Sequence, residues 1–100
     1  MTQISDAEYL GDYRLRFLFD NGREGVADLH SMVVDDHRPI FAPLRDAAVF
    51  QQLFVEHGAV CWRGDLDVAP EYIYYLVFRD DESLHGLFEE WGYIESEVAV

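Results

Sequence analysis

Gly58-Ala59-Val60-Cys61-Trp62-Arg63-Gly64-Asp65-Leu66-Asp67-Val68-Ala69-Pro70-Glu71-Tyr72-Ile73-Tyr74 sets a strand, a glycine turn, an Asp-x-Asp pair and a proline-started helix in immediate succession. Ala59 to Trp62 mixes β-branched and aromatic residues, and with Leu53 to Glu56 across His57-Gly58 it reads as a hairpin. Pro70 stands where a helix accepts proline, in its first turn, because the missing N–H would have no helical partner there. Asp65, Asp67 and Glu71 lie near the partly positive N-terminus of that helix, and Asp67 is expected to accept the amides of the turn. The helix should run from Glu71 to about Phe78 and, through Tyr72, Ile73, Leu76 and Val77, pack across a sheet.

Working outward towards the N-terminus, Tyr13 to Phe19 alternates with period two, with Tyr13, Leu15, Phe17 and Phe19 on one face and Arg14 and Arg16 on the other. Ala7 to Leu10 precedes it across Gly11-Asp12, and Asp20-Asn21-Gly22 leads on to Glu24 to Asp28, which predicts a three-stranded meander. Arg14 and Arg16 would then face acids such as Glu8 and Glu24. Asp28 can cap a helical turn within Leu29 to Val34, and Asp46 a short helix from Ala47 to Gln52. Hairpins followed by helices on one face of a small antiparallel sheet of about five strands predict an α+β fold.

Beyond Arg79 the pattern changes. Leu84, Leu87, Phe88 and Trp91 recur at i, i+3, i+4 and i+7, with Ser83 as a candidate N-cap and Gly92 as a stop. The expected organisation is one domain with a core at 1–79 and an acidic, amphipathic helical extension at 80–100. The apolar stripe must be covered, by the chain's own core, by a second copy or by another protein, and a two-fold homodimer is the commonest self-association. Leu84, Leu87, Phe88 and Trp91 are therefore the candidate partner interface.

One hundred residues with 50% hydrophobic content fit a single domain, which at this size buries about 60 to 70% of its unfolded surface. Cys61 is the only cysteine, so no intrachain disulfide forms and a reducing, cytoplasmic compartment is expected. The first residues carry no basic and apolar leader pattern, and no apolar run reaches the length of about 18 needed for a membrane helix. The chain holds twenty acids, seven arginines and no lysine, a net charge of -13. Seven of those acids and none of the arginines fall in 80–100. Phosphate binding needs a basic stripe, so direct binding to nucleic acid is not expected.

The Gly58 to Tyr74 stretch, together with Tyr13 to Phe19, Asp20-Asn21-Gly22, Asp28-Leu29 and Phe41 to Phe50, resembles a small prokaryotic family, domain of unknown function 2442, over about residues 4–76. The resemblance implies a fold and carries no established catalytic or ligand-binding residues. It also implies a protein partner. Proteins that look like this family are often encoded beside another small protein, commonly one resembling domain of unknown function 4160, in a toxin-antitoxin-like arrangement. Some longer relatives add a helix-turn-helix domain, for which these hundred residues leave no room.

The search for chemistry along the chain yields little. His30, His37, His57 and His85 stand singly, without the spacing that brings two ligands to one metal. Cys61 sits mid-strand beside Trp62 with no adjacent basic residue to lower its pKa, and reads as an inert buried thiol rather than a nucleophile. Asp65, Asp67 and Glu71, with His57 nearby, could hold a hard cation or divide acid and base roles, but a divalent ion needs about six oxygen ligands and a capping role is the simpler expectation. No phosphate loop, nucleophile elbow or Ser-His-Asp set is present. Trp62, Trp91, Tyr72, Tyr74 and Tyr75 are either core or interface anchors. The expectation is thus a non-enzymatic, antitoxin-like interaction or regulatory module with a basic protein partner and no cofactor. The alternative is a metal- or small-molecule-binding sensor or enzyme using Asp65, Asp67 and Glu71.

Overall fold

Strict alternation in Arg14-Leu15-Arg16-Phe17-Leu18-Phe19 puts three bulky apolar side chains on one face of the first sheet, and that face is dry. The computed structural model describes residues 2–35, 39–64 and 66–94. Its first sheet is an antiparallel meander of β1 (Ile4–Gly11), β2 (Arg14–Phe19) and β3 (Glu24–Asp28) in that order. Leu15, Phe17, Phe19 and Ala27 are buried, whereas Arg14, Arg16, Leu18 and Val26 face outward. β1 starts earlier than its sequence pattern announces. A register shift between Ile4 and Asp6 brings both Ile4 and Ala7 inward although they are three apart, a bulge that hides the period of two. On the outer face Arg16 lies opposite Glu8 at 3.4 Å, as expected, but Glu24 pairs with Leu18 rather than with an arginine.

The connection to the second half is held by short polar caps. Asp28 accepts a hydrogen bond from the His30 amide at 2.9 Å, ahead of a π turn at Ser31–Asp35 that buries Val33. A 3-10 stretch at Pro39–Arg45 inserts Phe41 and Leu44 into the core. Asp46 then caps α1 (Ala47–Phe50) through the Ala48 amide at 2.9 Å, and Phe50 is fully buried.

The strands from residue 54 onward form a separate three-stranded sheet, β4 (Phe54–Glu56), β5 (Ala59–Trp62) and β6 (Leu66–Val68), so the described residues form six strands in two sheets. The sixth strand corrects the sequence expectation for the Asp-x-Asp turn. Leu66 pairs with Trp62, Asp67 with Cys61 and Val68 with Val60. Burying Leu66 and Val68 requires a strand, and the same alternation throws Asp67 into solvent. Asp67 is consequently not the helix cap: the N-cap of α2 (Pro70–Phe78) is Ala69, without a side-chain hydrogen bond. Trp62 is core, its Nε1 donating to the Phe50 carbonyl at 2.7 Å, and the Ile4 amide donates to the Gly58 carbonyl at 2.8 Å to join the two sheets.

α2 crosses the first sheet over β3, where Gly25 supplies the clearance: a Cβ there would collide with Val77 Cγ1. A single 3-10 turn, Glu82–Leu84, and α3 (His85–Trp91) follow. Asp81, not Ser83, caps that turn, accepting from the Ser83 amide at 3.0 Å and hydroxyl at 2.6 Å. Gly92, at φ 84°, ends α3 in the left-handed conformation, as its position predicts.

Candidate functional site

The carboxylates singled out in the sequence do not converge on one described site. Asp65 and His37 lie outside the described residues. Asp67 shares the exposed face of the second sheet with Phe54 and Cys61, which stand opposite one another across β4, β5 and β6. Glu56, His57 and Arg63 border this face, enclosing a shallow concavity of about 440 Å³. Burial and the neighbouring Asp67 charge push the Cys61 thiol up, which keeps it in its protonated, weakly nucleophilic form. His57 Nε2 is 3.7 Å from Glu56 Oε1, with both side chains well exposed. Glu71 sits in the first turn of α2, beside Tyr93. Among the described residues no group of three His, Cys, Asp or Glu side chains is arranged to hold a metal ion.

The second candidate, the stripe beyond Arg79, is turned inward. Phe88 is fully buried, edge-on to Tyr75 at 5.2 Å and near Tyr74 at 6.4 Å. Leu84, Leu87 and Trp91 are half-buried against the same core. Folding back on α2 thus covers the stripe.

What this packing leaves half-exposed is a face of aromatic rings with polar tips. Tyr75 and Tyr93 stack at 5.2 Å, Tyr72 lies 5.4 Å from Tyr93, and Trp91 closes the row at 6.2 Å from Tyr93. Glu71 belongs to this face, since after burial its charge is the main cause that raises the Tyr93 hydroxyl above the ordinary tyrosine range. Glu89 and Glu90 follow on α3. Tyr93 escaped the sequence reading, although a signal for it existed. The Gly92 amide bonds the Glu89 carbonyl and the Tyr93 amide bonds the Phe88 carbonyl, both at 3.0 Å, the two-bond helix ending in which the residue after glycine folds back on the last turns.

One arginine ties this helical layer to the first sheet. Arg23, from the turn between β2 and β3, lies 4.1 Å above the centre of the Phe78 ring. Its Nη2 bonds Asp81 at 3.1 Å and its Nη1 donates to the Tyr74 hydroxyl at 3.4 Å, which also accepts from Asn21 at 3.3 Å. Asp81 is held below the usual carboxylate range, first by the Ser83 hydroxyl and then by Arg23. The Arg23 guanidinium is correspondingly raised by Asp81 and Tyr74.

Two small meanders closed by a pair of helices, with an acidic aromatic edge, define an α+β domain of an uncharacterised class. The chain belongs to the family described as protein of unknown function, DUF2442, whose model matches residues 4–79. No curated protein matches the chain. The fold is shared by a crystal structure from Nitrosomonas europaea ATCC 19718, the protein NE0471, whose name proposes DNA binding. The TM-score is 0.70 at 19% identity, covering 95% of this chain and 63% of that one. The shared fold therefore extends past residue 79, and the chain spans less than two thirds of NE0471.

Proposed function

We propose that the chain is a non-enzymatic interaction or regulatory module that acts, antitoxin-like, by engaging a basic protein partner through its acidic surface. The observation that carries this reading is the half-exposed face of Tyr72, Tyr75, Trp91 and Tyr93 with Glu71 beside Tyr93, on a chain whose α3 also carries Glu89 and Glu90. Tyrosine and tryptophan combine large contact area with a polar tip, and a field of one sign steers a partner of the other. A net charge of -13 speaks for a basic protein and against phosphate as the direct partner. The DNA binding proposed for NE0471 is thus not carried over with the fold. Affinity capture with the full chain at low ionic strength is expected to retain a basic protein and to release it as salt shortens the screening length below about 10 Å. Capture of no protein at low salt overturns the reading.

The concavity on the second sheet supports a second reading, a metal- or small-molecule-binding sensor or enzyme to which, of the carboxylates singled out in the sequence, it contributes Asp67 and not Glu71. Its volume of about 440 Å³ falls within the range of small-ligand sites. Titration with magnesium, calcium and manganese, followed by calorimetry and thermal shift, tests the metal version. Heat and stabilisation lost in Asp67→Ala support it, and their absence removes it.

A further inference from the structure

We propose that the Tyr72, Tyr75 and Tyr93 rings, with the Glu71 carboxylate, form a seat for an arginine side chain of the partner, an inference that rests on the interaction reading above. The molecule already contains such a seat. Arg23 lies over the Phe78 ring at 4.1 Å while its nitrogens reach a phenol oxygen, that of Tyr74, and a carboxylate, that of Asp81. A planar guanidinium suits this surroundings because it stacks on a ring and keeps its edge donors for oxygen atoms, whereas an ammonium is a compact, strongly hydrated point charge. A neighbouring side of α2 repeats the set. Tyr72 and Tyr75 supply the rings, 6.2 Å apart, Tyr93 stacks against Tyr75 at 5.2 Å, and Glu71 lies one helical turn before Tyr75 with its charge beside the Tyr93 hydroxyl. All four side chains are half-buried, so the rings are held in place and still reachable.

Among the described residues the Phe78 ring has its guanidinium and the three tyrosine rings have none. Charge complementarity decides the kind of occupant. The described residues 80–94 bring five acids, Asp80, Asp81, Glu82, Glu89 and Glu90, and no lysine or arginine to this end of the fold, so their field favours a cation, and the rings select the planar one. Because each element comes from this chain, one arginine of the partner completes the set.

The full chain, titrated with a short blocked Ala/Arg peptide and separately with its Ala/Lys counterpart while the tyrosine ring signals are followed by NMR, tests the seat. The arginine peptide is expected to shift the Tyr72, Tyr75 and Tyr93 signals and to bind about two- to fivefold more tightly than the lysine peptide. Glu71→Gln and, separately, Tyr93→Leu should each remove that preference, with circular dichroism confirming that α3 persists. If Tyr93→Leu loses helix, Glu71→Gln alone decides. Equal affinity for the two peptides, or shifts confined to other residues, overturns the seat. Capture of a basic protein that survives both substitutions would sink the seat and leave the interaction reading standing. Arginine-selective peptide binding with no captured protein would do the reverse.

Discussion

The two sides of helix α2 use similar residues for different ends. Towards the first sheet, Ile73 and Tyr74 are buried, Val77 packs on Gly25, and Phe78 lies under Arg23. Away from it, Tyr72 and Tyr75 stay half-exposed beneath Tyr93 and beside Glu71. One side excludes water and satisfies its polar groups internally, down to the Tyr74 hydroxyl that accepts from Asn21 and Arg23. The other keeps phenol tips and carboxylates in reach of solvent. Aromatic content alone therefore does not separate core from surface in this domain. The two sides of α2 differ instead in their neighbouring cation, which is present over Phe78 and, among the described residues, missing from the open side.

Phe88 offers the harshest way to break the comparison, because it supports both sides at once through Tyr74 and Tyr75. Phe88→Ala is expected to cost about 3–5 kcal/mol in chemical denaturation. A loss well under that would mean that α3 only rests on the domain. Gly25→Ala, which drives a methyl group into Val77 on the closed side alone, should cost about 1–3 kcal/mol. Parent-like stability would show that α2 can move off the sheet without loss.

The smallest effect concerns the clamp between the two regions. The folded pKa of Asp81 is depressed, so its contribution is fully present above the ordinary carboxylate range and fades as pH falls through the folded value. Asp81→Asn should accordingly lower stability at neutral pH and flatten its decline in acid. An acid limb unchanged by the substitution would show that Ser83 and Arg23 do not act through this carboxylate.

Much of the closed region was legible in the sequence, and its physical basis explains why. β2 alternates without a break, Asp46 precedes a short apolar run, and Gly92 stands where a helix must stop; each is a local rule read within a few residues. The second sheet was legible only in part. β6 is three residues long, and its alternation was overshadowed by Pro70, whose helix signal drew Asp67 into a capping role. The Ile4 bulge hid the first strand's start for a related reason, since one inserted residue breaks the period on which the reading depends. The candidate interface was least legible. Helical spacing gathered Leu84, Leu87, Phe88 and Trp91 correctly on one face, yet spacing does not say whether a face meets its own domain or another molecule. The rings that remain accessible come from two elements far apart in sequence, Tyr72 and Tyr75 on α2 and Tyr93 beyond α3, and only the folded chain puts them side by side.

The central claim is that the protein partner is engaged by the acidic aromatic face of α2 and α3, and amide hydrogen exchange on the complex with the captured basic protein tests it most directly. Slowed exchange is predicted along residues 71–76 and 88–94, with little change at 54–64 and 66–68 around the concavity. Protection confined to the concavity, or to the outer face of β1, β2 and β3, would contradict it.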